Sequence, residues 1–521
     1  MNKFDLTKEP WIPCLMPDGS IKEFNLLDVL TKAHEIKEIT DDSPLVVISL
    51  YRLLLAILHR NLGPKNFEEW KVLWRKGFWE REKLEAYFES ENCKNRFNLF
   101  DDERPFYQYP KLTKKGGIES DKQSIEVLME EKATGANATL FDHSFKSKEI
   151  AYPAAVAARY LITRQAFAIS GGNNFPFYLS NSTLISGFSV LALGDNLFQT
   201  LALNLIVYYR DKPMPIQDDD GVSLDMPFWE REKLVEATER DKDGITPLGY
   251  LDYLTWQCRK IKLLPDEDFQ TVKFCQVQQN FKLKENLNIF DPFKVYVEGE
   301  NGLYPLDFKS HKSLWRNSHA IFQQTSKADE IASLFKHLTK VSAAISDGEI
   351  EGRRKYAFSI IGIINDKASV ETWMHETLPI PLAYFDDKSL TENLESSIQF
   401  AEDIGNKLKD SIKKLADLLK TKPANFQAMP IYWSTLELRF QSLLSGLPDD
   451  KDAAMHEWFA EVLAIANRAF EQTVNSLSGS AQELKAAVEA RGLFNGITYK
   501  TKQKPEYKNY VPETKSHGGS K

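Results

Sequence analysis

Cysteine is scarce: Cys14, Cys93, Cys258 and Cys275 are the only four among 521 residues, and no two form a C-x-x-C pair. A zinc ribbon is built from close thiolate pairs, so this spacing argues against one. Scattered thiols of this kind fit a reducing, cytosolic compartment. Long apolar runs are also missing, and no stretch is expected to serve as the roughly 20-residue apolar segment of a membrane span. The N-terminal Met1-Asn2-Lys3-Phe4-Asp5-Leu6-Thr7-Lys8-Glu9-Pro10 carries charge where a signal peptide is apolar. The expectation is a soluble cytoplasmic protein with no membrane partner.

Catalytic signatures are absent as well. There is no G-x-x-x-x-G-K-[ST] loop, no H-E-x-x-H helix, no G-x-S-x-G elbow and no strand-linked G-x-G-x-x-G. His375-Glu376 and His456-Glu457 lack a second histidine one helical turn later. His59-Arg60-Asn61 resembles a fragment of a kinase catalytic loop without its glycine-rich loop or Asp-Phe-Gly. Asp101-Asp102 and Asp218-Asp219-Asp220 sit in turn-like contexts, where solvated carboxylates are the ordinary occupants. The chain is therefore expected not to be an enzyme and to use neither cofactor nor metal. Positive charge is in deficit too: 66 Lys+Arg against 74 Asp+Glu give a net charge of -8. A free-standing nucleic-acid binder is usually basic, so wholesale phosphate coating is excluded while a local basic site is not.

What is there is ordinary globular material, 42% hydrophobic and 12% aromatic, long enough for two to four domains at roughly 100 to 200 residues each. Trp11 to Leu15, the turn composition Pro17-Asp18-Gly19-Ser20 and Ile21 to Phe24 predict a β-hairpin. A helix is expected to begin at Asn25-Leu26-Leu27-Asp28. Another, strongly apolar, covers 45–62, with Ser43 as cap and Pro44 at the first helical position; Arg52 and His59-Arg60 interrupt it, and it reads as a buried core helix. Trp70, Trp74, Phe78 and Trp79 fit helix faces buried in a core. Residues 111–150 are polar and aperiodic, the composition of either a disordered segment or a functional loop, and 213–246 reads as a surface loop with a short helix at most. Period-two patterning predicts strands at 259–264, 271–277 and 293–297, and 356–364 reads as a buried strand. After Pro379-Ile380-Pro381, helix-length segments at 388–420, 429–445, 450–476 and 479–491 predict a four-helix bundle. The expected fold class is α+β: a large mixed N-terminal domain at 1–379, a C-terminal four-helix bundle at 380–498, and a basic, disordered tail at 499–521.

Binding signals are concentrated in three places. Ser170-Gly171-Gly172-Asn173-Asn174 ends a helix with backbone free of Cβ atoms, able to approach a ligand closely, and it is equally the composition of a plain helix C-cap. Lys282-Leu283-Lys284 alternates on an expected hairpin, placing two ammonium groups on one face, as a solvated edge strand also does. Arg353-Arg354-Lys355 precedes the buried strand and could track phosphate or face solvent.

An ordered set of segments then carries a family resemblance. Phe4-Asp5-Leu6, Pro10-Trp11-Ile12-Pro13, Leu26-Leu27-Asp28-Val29-Leu30, Asp42-Ser43-Pro44-Leu45, Leu140-Phe141-Asp142-His143-Ser144, Ala158-Arg159-Tyr160-Leu161-Ile162, Gly194-Asp195-Asn196-Leu197, Tyr253-Leu254-Thr255-Trp256, Leu314-Trp315-Arg316 and Lys367-Ala368-Ser369-Val370 resemble the CasA family. Members are the large subunit of Cascade, the type I-E CRISPR surveillance complex. The resemblance implies a non-catalytic subunit that reads the PAM in double-stranded target DNA from the minor groove. It also implies that the subunit helps open the duplex and recruits the CRISPR nuclease-helicase. It assigns the groove-reading loop to Gly171 and Gly172, with Asn173 adjacent, and the lysine finger to Lys282 or Lys284. The strand-separating wedge falls on Asp366 and Lys367, where some members carry an Asn and a Gln. Leu140, Phe141, Asp142 and His143 fall in the loop that anchors the subunit on the crRNA 5′ end and on other Cascade subunits, with Phe141 as the stacking residue. Two readings compete with this one: a metal-dependent nucleic-acid hydrolase, and an assembly scaffold without DNA contact.

Overall fold

The computed structural model describes residues 3–114, 116–130, 150–169, 180–207, 225–284, 290–299, 302–307, 313–322, 333–366 and 369–504, together with 507 and 510. They form two compact units: 1–312 with 324–377, and 313–323 with 378–521.

The first unit carries its strands in small sheets. β1 (Ile12–Leu15) pairs antiparallel with β2 (Ile21–Phe24) as the expected hairpin, with Ile12 opposite Phe24, and also with β3 (Glu38–Ile39). β4 (Gln123–Ser124), β5 (Tyr152–Pro153) and β7 (Arg259–Pro265) all pair with β8 (Thr271–Gln279). β6 (Ser189–Leu193) joins β11 (Lys355–Asp366) and β12 (Ser369–Pro381) in the order β12-β11-β6. β9 (Tyr296–Gly299) and β10 (Gly302–Pro305) form a ribbon. The strand expected at 293–297 thus begins three residues later. β12 has no counterpart among the sequence expectations.

The helices of this unit are α1 (Leu26–Thr31), α2 (Pro44–Leu62), α3 (Phe67–Lys76), α4 (Arg81–Phe88), α5 (Ala154–Phe167), α6 (Leu197–Asn204), α7 (Tyr250–Leu254) and α9 (Leu334–Ser346). Asparagine starts three of them: Asn25, Asn66 and Asn196 each accept a backbone N–H of the first turn through their side chains. Ser43 occupies the cap position of α2, but its hydroxyl makes no capping bond; instead its backbone N–H donates to Asp41 Oδ1 at 3.0 Å. Contrary to the sequence expectation, α2 is long and apolar enough to cross a membrane, by length and composition, but 78% of its apolar window lies buried within the fold, as expected of a core helix. Its charges are matched there. Arg52 Nη1 donates to Asp291 Oδ2 at 2.8 Å, and Arg60 is paired with Glu230.

Trp70 and Trp74 stack in the core with centroids 5.4 Å apart, whereas Phe78 and Trp79 lie in the link between α3 and α4, with Phe78 exposed. Two stretches read as loops are partly core. In 111–150, Leu112, Ile125, Leu128 and Met129 are buried around β4, and in 213–246 Phe228, Trp229 and Ala237 are buried. Apolar side chains inside polar segments found partners distant in sequence.

In the second unit, α8 (His319–Phe322) and α10 (Ala383–Asp386) accompany four long helices, α11 (Lys388–Leu418), α12 (Ala428–Gly446), α13 (Lys451–Asn475) and α14 (Ala481–Lys502). α11 packs against the other three long helices. Trp315 joins Trp433, Phe440 and Trp458 in an aromatic cluster, so the unit includes a segment well before 380. The expected boundary at 498 falls inside α14. The expected loose tail is also packed in part: Tyr507 is 2% exposed against Phe400 and Phe459, and Lys504 pairs with Asp403 at 2.6 Å.

Candidate nucleic-acid interface

Gly171, Gly172 and Asn173 lie outside the described residues, as do Leu140, Phe141, Asp142, His143 and Lys367. Asp366 is described by its backbone alone, as the last residue of β11. What the structure defines is the base from which the glycine segment departs and returns, and the segment bearing Lys282 and Lys284.

α5 ends at Phe167, and the chain returns at Ser180. The two stems run side by side: Ser182 N–H donates to Ala168 O at 3.0 Å and Leu184 N–H to Ala166 O at 3.0 Å. Arg259, the first residue of β7 and 2% exposed, holds both stems. Its Nη2 donates to Ile169 O at 2.7 Å, and its Nη1 donates to Ser180 O at 3.0 Å and to Ser180 Oγ at 2.9 Å. Bonds from a charged donor are worth about 1.5–3 kcal/mol each, and removing the donor leaves buried carbonyls unpaired. Gln165 fixes the arginine in turn, accepting Arg259 N–H at 3.0 Å and donating to Arg259 O at 2.8 Å. Burial lowers the Arg259 pKa from its ordinary value, and the nearby Cys258 opposes that shift.

The register of β7 and β8 sets Arg259 opposite Gln279, whose side-chain oxygen accepts the Ser180 hydroxyl at 2.8 Å. The chain leaving β8 therefore starts beside the glycine stems. No hairpin strand is present at 281–284 among the described residues. This segment is clipped instead to Ile245 by one parallel bridge: Ile245 N–H donates to Lys282 O at 2.9 Å and Lys284 N–H to Ile245 O at 3.1 Å. Leu283 packs onto a buried cluster of Ala168, Ala237, Trp256, Cys258 and Phe281, while Lys282 is half-buried and Lys284 exposed. Ala168 belongs to the glycine stem and Phe281 to the lysine segment, so both candidate elements share one apolar base.

The other sequence candidates are structural where they are described. Asp101 accepts the backbone N–H groups of Glu103 and Arg104, Asp102 pairs with Lys3, and Arg353 pairs with Asp195. Among the described residues, no group of three or more His, Cys, Asp or Glu could hold a metal ion. All four cysteines are free and buried, and burial pushes the thiols of Cys14 and Cys275 up to about 12. Arg259 and Ser180 were missed at the sequence level. Their partners lie far away in the chain, and no local pattern marks them.

Comparison with known proteins agrees with the fold. A family model described as CRISPR-associated protein Cse1 matches residues 5–469. The CRISPR-associated protein CasA/Cse1 of Thermus thermophilus is 28% identical over 523 residues, covering 95% of this chain and 97% of that protein. The solved structure of Thermus thermophilus CasA (Cse1) is similar with a TM-score of 0.79 at 26% identity, covering 96% of this chain and 100% of that one. A chain of a CRISPR RNA-guided surveillance complex shares the fold, with a TM-score of 0.71 at 19% identity over 94% of this chain and 99% of its own. With a family model spanning most of its length, the chain belongs to the CRISPR-associated protein Cse1 family.

Proposed function

We propose that this chain is the large, non-catalytic subunit of a crRNA-guided type I-E surveillance complex. In this reading it recognises the PAM in double-stranded target DNA from the minor groove, assists duplex opening and R-loop formation, and recruits the nuclease-helicase. It assembles with the other Cascade subunits and the crRNA 5′ end in the cytoplasm. The observation that carries the reading is the shared base of the two candidate elements, where Arg259 holds the glycine stems and Ile245 clips the lysine segment. A glycine backbone can enter a narrow groove closely, and ammonium groups beside it can meet phosphates, which position a protein on the duplex. The minor groove distinguishes base pairs only coarsely, so tolerance of several PAMs follows.

The net charge of -8 fits the same reading. A body repelled by DNA, with a few contacts at one place, binds a duplex weakly alone and selectively within an assembly that supplies base pairing. The fold shared with a chain of a CRISPR RNA-guided surveillance complex supports the assembly role. The test is a reconstituted complex carrying Gly171→Asp or a Lys282→Ala/Lys284→Ala pair. Loss of PAM-dependent duplex binding with assembly intact is expected, and unchanged discrimination in both variants refutes the reading.

A further inference from the structure

We infer that Arg259 is a positioning residue for duplex recognition, fixing the stems of the glycine segment relative to the segment bearing Lys282 and Lys284. This rests on the PAM-reading function proposed above. Arg259 need not touch nucleic acid; it acts through the backbone it holds.

Ile169 and Ser180 bracket the glycine segment, and one guanidinium bonds the carbonyl of each, at 2.7 and 3.0 Å. A third bond from Nη1 reaches Cys258 O at 2.9 Å, tying the same group to the residue just before its own strand. Ser180 is held by both members of a cross-strand pair, since its hydroxyl accepts from Arg259 and donates to Gln279. Two residues beyond Gln279 stands Phe281, packed in the cluster that also takes Ala168 from the other stem. A rotation or slip of either stem therefore breaks bonds to Arg259 before it can change the spacing between the two candidate elements. The planar fork matters here: its two terminal nitrogens reach separate carbonyls at fixed separation, whereas the single ammonium of lysine cannot hold both in that geometry.

The test uses the reconstituted guide complex with Arg259→Lys, which keeps the charge and loses the fork. Affinity is measured at one fixed salt concentration for a duplex with PAM, a duplex with mutated PAM, and a target already opened into a bubble. The expected result is about a tenfold loss on the PAM duplex, the scale of discrimination at a single base pair, with the other two targets bound as by wild type. Leu263→Ala, a buried change on the same strand, serves as control and should lower the melting temperature while preserving the ratio between PAM and mutated PAM. The inference is overturned if Arg259→Lys keeps the wild-type ratio, or if Leu263→Ala lowers it equally. Should Arg259→Lys fail to assemble, Ser180→Ala removes the hydroxyl shared by Arg259 and Gln279 and is judged by the same ratio. If Gly171→Asp and the Lys282/Lys284 double alanine both leave discrimination untouched as well, the PAM-reading proposal itself has failed. If either of those variants loses discrimination while Arg259→Lys retains it, only the positioning role falls.

Discussion

A Cβ placed on Gly244 would lie 2.6 Å from the Cα of Lys284 and 2.6 Å from its amide nitrogen. Gly244 also holds a φ of +85°, a left-handed conformation that glycine adopts without steric cost. The next residue, Ile245, makes both backbone bonds that fix the lysine segment. The Asp243-Gly244 pair marks a turn in the sequence, but nothing local shows that this glycine decides how closely the chain can pass Lys284.

Gly244→Ala should therefore act on both stability and recognition. Strain at a left-handed residue plus a clash with backbone should cost about 1–3 kcal/mol, lowering the melting temperature, and the displaced lysine segment should weaken duplex binding by the assembled complex. Calorimetry beside a binding titration checks both. A variant with wild-type values in the two measurements would show that the close approach is inconsequential.

The buried Lys294 predicts a pH dependence. Its ammonium donates to Thr183 O at 2.7 Å and Ser186 O at 2.6 Å. Burial pulls it from 10.5 down to about 8, against the opposing attraction of Asp291 and with repulsion from Arg52 adding to the fall. Between those two values the unfolded chain binds the proton more strongly than the folded one, so this group makes stability rise with pH across that window. Urea unfolding of wild type and Lys294→Met between pH 8 and 10 isolates the contribution. Wild type should gain stability relative to the variant as pH rises, and a constant difference would contradict the assignment.

Tyr507 tests the packed portion of the C-terminal segment. Its ring lies 4.9 Å from Phe400 and 5.6 Å from Phe459, centroid to centroid. Tyr507→Ala should cost about 3 kcal/mol, in the range of buried aromatic truncations, whereas truncating an exposed tail residue costs almost nothing. Denaturant unfolding distinguishes the two outcomes.

Much of the fold was legible because its signals are local. The Pro17-Asp18-Gly19 turn announced β1 and β2, Asn25 marked the start of α1, and apolar periodicity located β7, β8 and the long C-terminal helices. β12 went unread because Pro379 and Pro381 at its end suggested a boundary where a strand is finishing. The burial of Phe228, Trp229 and Tyr507 depends on partners far along the chain, and composition registers only the polar residues around them. At the candidate site, Lys282 and Lys284 could be named from the sequence as candidates through their spacing around Leu283. Arg259 could not, since its bonds to Ile169 and Ser180 cross 90 and 79 residues.

Electrostatics gives a further check on the lysines. Removing one lysine that meets a phosphate should reduce the steepness of the salt dependence of duplex binding by about one unit. Single Lys282→Ala and Lys284→Ala variants of the complex, titrated with one PAM duplex over a salt series, should identify the residue responsible. Equal slopes in wild type and both variants would remove both lysines from the interface.

If this chain supplies PAM dependence to a guide complex, the effect is read most directly as duplex affinity of the reconstituted complex, with and without this subunit, across a set of PAM variants at one salt concentration. Strong PAM dependence is predicted only when the subunit is present, with weak binding by the subunit alone. The same PAM dependence in the complex lacking it would contradict the proposed function.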